Sequence, residues 1–163
     1  PAFNVFFDDV NDWGIKCLER AIEGLKCETA VHICYGYGIK ANTDWKQTLG
    51  NEWRQYEEVF PKLQKSNIDI ISLECHNSRV PIELLALIRG KKVMVGAIDV
   101  ASNEIETPDE VAHTLREALK YVDADKLYPC TNCGMAPLPR HIASAKLSAL
   151  SKGAEIVRGE VSN

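Results

Sequence analysis

Short apolar runs alternate with longer amphipathic stretches along the whole chain. Runs rich in apolar and β-branched residues predict four strands, which cover residues 29–35, 68–74, 92–99 and 126–130. The stretches around them carry apolar residues at helical spacing. They predict helices over residues 13–25, 45–65, 81–88, 107–122 and 139–152. Strands and helices therefore alternate, and one helix precedes the first strand.

Local signals define several helix ends. Thr107 and Glu110 are spaced as a capping box, with a proline between them at the first helical position. Asp44 is the predicted N-cap of the helix over residues 45–65. Gly50 and Pro61 are expected to bend or shorten that helix.

Four strand–helix units in sequence favour a parallel sheet with right-handed crossovers. The units average about 40 residues, and eight of them would form a (β/α)₈ barrel. An open doubly wound sheet also has such units, but no strand here is followed by a glycine-rich phosphate turn. Residues 36–38, Gly-Tyr-Gly, lack the third glycine and a helix start. We therefore predict an α/β fold that is the C-terminal half of a TIM barrel.

Composition limits the classes of function. Apolar residues make up 45% and charged residues 26% of the chain, which is typical of globular proteins. The net charge of −4, without a basic block, argues against a nucleic-acid partner. No apolar run approaches the roughly 18 residues of a membrane helix, so no membrane partner is expected. The six cysteines are expected to be reduced thiols in a cytoplasmic protein, since nothing marks the chain as secreted.

Metal-binding residue types stand where the predicted strands end. His32 and Cys34 are two apart on one strand, so both side chains leave the same face. Glu74 and Cys133 follow two other strands, and Asp99 ends a third. In parallel α/β proteins these carboxyl ends carry the active site. Tetrahedral zinc accepts such a mixture of imidazole, thiolate and carboxylate ligands, and we predict zinc bound by His32, Cys34, Glu74 and Cys133.

Alternatives remain at several positions. His76 lies two residues beyond Glu74 and competes as a ligand, whereas Cys130 is a reserve ligand or a redox partner of Cys133. The other three cysteines are expected to fill the core: Cys17, Cys27 and Cys75.

The spans 31–35, 71–74 and 128–134 resemble the zinc-binding strands of cobalamin-independent methionine synthases. The resemblance covers nearly the whole chain, and it is closest to the short core members that lack the N-terminal barrel. It identifies residues 1–163 as the second half of the catalytic barrel. The first two residues, Pro1 and Ala2, match the end of the family's Asp-Glu-Pro-Ala stretch. The first half of the barrel is then the partner that supplies further substrate contacts, and we expect this half to fold poorly alone because its sheet edges are open.

The resemblance implies the same four zinc ligands and a zinc-activated homocysteine thiolate that attacks a methyl group to give methionine. Glu74 and Asp99 are the implied catalytic residues, and Glu74 is expected to yield to the substrate sulfur. Full-length members have the sequence Asp-Ile-His-Ser at the position of residues 99–102. This chain has Asp-Val-Ala-Ser there, so Ala101 replaces the histidine. That histidine is assigned to proton delivery toward the folate leaving group. The donor is therefore either methyltetrahydrofolate or a methyl-corrinoid, such as methylcobalamin or a corrinoid protein, whose cobalt leaving group needs no proton.

Two other functions fit the same residues. The first is a corrinoid-linked methyltransferase that acts on another small thiol. The second is a structural zinc or redox domain, in which Cys130 and Cys133 form a pair and no substrate binds.

Overall fold

The computed structural model describes residues 2–38 and 40–162. Its four strands are parallel and confirm the predicted strands with shorter bounds: β1 (Ala30–Ile33), β2 (Ile70–Glu74), β3 (Lys92–Gly96) and β4 (Leu127–Cys130). The strands lie in the sheet in sequence order. This order is that of a barrel, because a doubly wound sheet reverses its strand order at a switch point.

Seven α-helices are present in the described residues: α1 (Ala2–Val5), α2 (Phe7–Val10), α3 (Gly14–Ile22), α4 (Lys40–Thr48), α5 (Tyr56–Lys65), α6 (Pro108–Ala118) and α7 (Arg140–Val161). Two 3₁₀ helices cover Ile82–Ile88 and Ala124–Lys126. The Thr107 capping box of α6 is confirmed in full. None of the described helices has the length and apolarity needed to cross a membrane.

Three helix predictions are corrected. The predicted helix over residues 45–65 is two helices, α4 and α5, separated at residues 49–55 around Gly50. Asp44 therefore lies inside α4 and does not cap it. The predicted helix over residues 139–152 continues through Gly153 to Val161, because that glycine lies on the buried face of α7 with Ala149 and Val157.

The two faces of the sheet have different roles. The strand register places Ile33, Leu73 and Val95 in one row, and these side chains are buried in the hydrophobic core with α5, α6 and the first 3₁₀ helix. The alternate row contains His32 and Ser72 on the opposite face. We call this second face the site face.

Candidate metal centre

Three of the predicted ligands converge on the site face. One donor atom each of His32, Cys34 and Cys133 lies within 4.8 Å of the other two. The Cys34 and Cys133 Sγ atoms are 3.9 Å apart. Two sulfur ligands of one tetrahedral zinc ion, each at about 2.3 Å, are separated by about 3.8 Å. The two thiols are therefore spaced as a zinc ion requires, and we call these residues the three-donor set.

The imidazole of His32 is oriented by a neighbouring strand. Its Nδ1 lies 3.0 Å from Ser72 Oγ, which is directly opposite in the β1–β2 register. When Nδ1 carries the hydrogen and donates it to Ser72, the Nε2 lone pair is available to a metal ion. His32 remains exposed, but partial desolvation by the surrounding protein lowers its pKa, which favours the neutral, metal-binding form. Ser72 was not predicted, because only the strand register brings it to His32.

Asn132 holds the loop that carries Cys133. Its side-chain Nδ2 donates to the His76 carbonyl at 2.7 Å, and its Oδ1 accepts from the Cys75 N–H at 3.2 Å. Its own N–H donates to the Ile98 carbonyl at 2.9 Å, and the residue is almost fully buried. Asn132 therefore links this loop to the ends of β2 and β3. Asn132 was not predicted as a site residue, although its place one residue before a predicted ligand was a signal.

Glu74 lies outside the three-donor set. Its Oε1 accepts from the Tyr35 N–H at 2.7 Å, and its Oε2 accepts from the Tyr37 hydroxyl. The residue is only 2% exposed, and this burial raises the pKa of Glu74 against the opposing effect of the two donors. Burial, followed by the charge of Glu74, also raises the pKa of Tyr37, so the hydroxyl remains a donor. Glu74 as a fourth ligand stays a prediction, and neither tyrosine was predicted.

All six cysteines are free thiols, and they have different environments. Burial, and then the proximity of Cys133, raises the pKa of Cys34 to about 11. A metal ion that binds this thiol at neutral pH would therefore displace its proton. Burial also raises the pKa of Cys130 to about 11, and its Sγ lies 3.9 Å from Ser72 Oγ, outside the three-donor set.

The remaining candidates contact other parts of the protein. His76 Nδ1 lies 3.1 Å from the Thr114 hydroxyl on α6, so this ring faces a helix and not the three-donor set. Cys75 is packed against the core, as expected. Cys17 and Cys27 are exposed, so their predicted core role was wrong. Cys17 lies on the outer face of α3, and Cys27 lies in the loop before β1.

Asp99 is half-buried just beyond the carboxyl end of β3. Its Oδ1 accepts from the Ala101 N–H at 2.8 Å, and its own N–H donates to Glu106 Oε1 at 2.9 Å. Glu106 is bound in turn by Lys146, which is fully buried. Asp99 thus lies at the same edge of the sheet as the three-donor set. Its catalytic role stays a prediction, and the Lys146–Glu106 pair was not predicted.

Known proteins match this chain over most of its length. A family model described as "Cobalamin-independent synthase, Catalytic domain" matches residues 18–155. A methionine synthase of Sulfurisphaera tokodaii is 32% identical over 100% of this chain, and one of Sulfolobus acidocaldarius is 32% identical over 99%. The chain covers 43% and 42% of these two relatives, so it spans less than half of their length.

Solved structures match the fold. A B12-independent methionine synthase from Shewanella sp. W3-18-1, in complex with selenomethionine, superposes with a TM-score of 0.93 at 83% identity. The match covers 99% of this chain and 47% of that protein. A putative vitamin-B12-independent methionine synthase from Listeria monocytogenes, at 21% identity over 93% of this chain and 40% of its own, matches in fold with a TM-score of 0.55. Together with the parallel sheet in sequence order, these matches confirm the predicted α/β fold as half of a TIM barrel.

Proposed function

Because this chain belongs to the family of cobalamin-independent synthase catalytic domains, we propose that it is the metal-binding half of a zinc-dependent homocysteine methyltransferase. The product would be methionine, and residues 1–163 would form the second half of the catalytic barrel. The observation that carries this proposal is the convergence of His32, Cys34 and Cys133. The relatives named methionine synthase support it. So does the Shewanella protein, which was solved with the selenium analogue of methionine.

Zinc would be held by His32, Cys34 and Cys133, with Glu74 as the fourth protein ligand before substrate binds. When bound, zinc is a Lewis acid that keeps a coordinated thiol deprotonated at neutral pH. The two cysteine thiolates contribute negative charge that keeps a bound sulfur electron-rich. Glu74, the hardest of the four ligands, would yield its position to the homocysteine sulfur.

Two acidic side chains at this edge of the sheet, Glu74 and Asp99, would take part in the reaction. Replacement of the Glu74 carboxylate by a substrate thiolate exchanges one anion for another, so the charge of the site is conserved. Asp99 is held by the Ala101 N–H and is proposed as a catalytic residue that faces the bound substrate. The first half of the barrel would supply the other contacts to homocysteine.

The methyl donor is proposed to be methyltetrahydrofolate or a methyl-corrinoid. The matched family is cobalamin-independent and the Shewanella protein is B12-independent, and both facts favour methyltetrahydrofolate as the donor. Ala101, however, carries no proton that it can transfer, and an amine leaving group needs one. A folate-dependent reaction would therefore require an acid from elsewhere in the barrel, whereas a corrinoid donor would not.

Zinc content separates the proposed metal site from the structural or redox alternative. In the intact protein, we expect Cys133→Ala to lose most of its bound zinc, because it removes one member of the three-donor set. The matched control is Cys130→Ala, which removes a thiol from the same loop region but outside that set. Equal zinc content in both variants and in the wild type would remove the methyltransferase assignment.

A methyl-transfer assay tests the substrate and the donor. The zinc-loaded intact protein is incubated with homocysteine and either methyltetrahydrofolate or methylcobalamin, and methionine is quantified. We expect methionine with one donor and none in the Cys133→Ala variant. If the protein holds zinc but makes no methionine with either donor, a different small thiol becomes the better substrate.

A further inference from the structure

The turn of residues 36–38 places one side chain over Glu74. Gly36 has a φ of 82° and Gly38 a φ of 76°, a left-handed conformation that favours glycine at both positions. The chain therefore turns at residues 36–38, shortly after Cys34, and the Tyr37 hydroxyl reaches the Glu74 carboxylate. The glycines in this Gly-Tyr-Gly sequence thus serve a turn beside the metal site, and no phosphate loop is formed.

The two oxygens of Glu74 are held in different ways. Oε1 accepts from the Tyr35 backbone N–H, whose position follows from the path of the chain after β1. Oε2 accepts from the Tyr37 hydroxyl, which is a side-chain donor and can turn away. Of these two contacts, only the one from the Tyr37 side chain holds Oε2.

Lys46 holds this turn in place from α4. Its Nζ donates to the Gly36 carbonyl at 2.7 Å and lies 4.8 Å from the centroid of the Tyr37 ring. The cation over the ring and the hydrogen bond to the adjacent carbonyl both stabilise the observed orientation of Tyr37. The tyrosine is therefore oriented by contacts independent of Glu74.

Tyr37 is not a core residue, in contrast to Tyr35. The ring of Tyr35 is fully buried against Trp53 at a centroid distance of 4.7 Å, and its hydroxyl donates to Gln55 at 2.6 Å. Tyr37 is only half-buried, and its hydroxyl is directed at the Glu74 carboxylate. Tyr35 therefore packs in the core, whereas Tyr37, two residues later, is a polar partner of Glu74.

We propose that Tyr37 is a positioning residue that competes with the metal ion for the Glu74 carboxylate. Its hydroxyl holds the carboxylate beside the three-donor set, which leaves the fourth metal position open to the substrate thiol. This inference rests on the proposed function, because it assumes that the three-donor set binds zinc. It adds that the Tyr37 hydroxyl forms a hydrogen bond with the Glu74 carboxylate when the carboxylate leaves the metal.

The test compares Tyr37→Phe with Tyr35→Phe in the intact protein. Each variant removes a single hydroxyl oxygen. The Tyr37 hydroxyl contacts Glu74, whereas the Tyr35 hydroxyl contacts Gln55, and both variants keep the Tyr35 backbone N–H that binds Glu74. Zinc affinity is measured by competition with a chromophoric chelator, and Co²⁺ absorption spectra report coordination with and without homocysteine. We expect Tyr37→Phe to bind zinc about tenfold more tightly, because the carboxylate loses its competing partner. Homocysteine should bind about tenfold more weakly, and Tyr35→Phe should change neither value.

A Glu74→Gln background shows whether the effect passes through the carboxylate. There, addition of Tyr37→Phe should leave zinc affinity and the Co²⁺ spectrum unchanged, whereas an equal change in both backgrounds would overturn the inference. Unaltered zinc and homocysteine binding in Tyr37→Phe itself would also overturn it, while the proposed zinc site would stand. A wild-type protein that binds neither Zn²⁺ nor Co²⁺ would overturn the proposed function as well.

Discussion

The Lys146 ammonium group donates to both oxygens of the Glu106 carboxylate, and each N–O distance is 2.9 Å. Lys146 is fully buried on α7, and Glu106 is 8% exposed in the segment before α6. Because Glu106 Oε1 also accepts from the Asp99 N–H, the pair connects the last helix to the residue beyond β3. A buried ion pair thus supports the backbone of a proposed catalytic residue.

Removal of one member of this pair should be far more harmful than neutralisation of both. We expect Lys146→Met to lower the free energy of unfolding by about 3–5 kcal/mol, because a carboxylate stays buried without its cation. The double variant Lys146→Met/Glu106→Gln should recover most of this loss, since the glutamine oxygen can still accept from Asp99. Denaturant unfolding of the intact protein measures both values. A double variant as unstable as the single one would contradict this explanation.

Gly96 allows the Cys133 loop to approach the end of β3. A Cβ atom on Gly96 would lie 2.5 Å from Asn132 Oδ1 and 2.7 Å from the Leu73 carbonyl oxygen. We expect Gly96→Ala to destabilise the protein by about 1–3 kcal/mol and to weaken zinc binding, because Asn132 must shift. The control is Gly134→Ala, where an added Cβ meets no atom within 4 Å. Equal zinc affinity in the two variants would show that the Asn132 contact does not position Cys133.

Much of the fold could be predicted because its signals are local. The four strands follow from apolar runs, and the start of α6 follows from the Thr107–Glu110 spacing, which needs only three intervening peptide bonds. The pairing of His32 with Cys34 is equally local, since alternate residues of a strand share a face. Cys133 could be predicted as a further ligand because the carboxyl ends of parallel strands meet at one edge of the sheet.

The features of the fold and the site that could not be predicted depend on contacts that sequence spacing does not encode. Ser72 meets His32 only through the register of two strands 40 residues apart in sequence. The Tyr37 contact with Glu74 requires a turn in which both glycines adopt positive φ. The predicted helix over residues 139–152 stops just before Gly153, a residue of low helix propensity, whereas α7 continues through it and packs this glycine against Val111 and Pro108 of α6.

Gly153 should therefore resist a substitution that helix propensity favours. Alanine is better than glycine in a helix by about 1 kcal/mol. At Gly153, however, a Cβ would lie 2.5 Å from the Val111 side chain and 2.7 Å from the Pro108 carbonyl. We expect Gly153→Ala to lower the melting temperature, and Gly159→Ala on the same helix, where a Cβ meets no atom within 4 Å, to leave it unchanged or raise it. A higher melting temperature for Gly153→Ala would contradict this packing of α6 and α7.

The Asp69 carboxylate connects the residue before β2 to Thr29, the residue before β1. Its Oδ2 accepts from the Thr29 N–H at 2.8 Å and from the Thr29 hydroxyl at 3.1 Å. The backbone hydrogen bond, followed by the side-chain bond, lowers the pKa of Asp69 in the folded protein. Its stabilising contribution is therefore complete above the unfolded pKa of about 3.9 and is lost as the pH falls through the lower, folded pKa.

Acid should consequently reduce the difference in stability between the wild type and Asp69→Asn. We expect the wild type to be the more stable at pH 7, and the difference to shrink as the pH falls below about 3.9, because the carboxylate of the unfolded chain is protonated before that of the folded protein. Thr29→Val, which removes only the hydroxyl donor, should lie between the two at pH 7. Urea unfolding at a series of pH values measures these differences. A gap between wild type and Asp69→Asn that stays constant from pH 7 to acid would show that the Thr29 hydrogen bonds do not favour the ionised form.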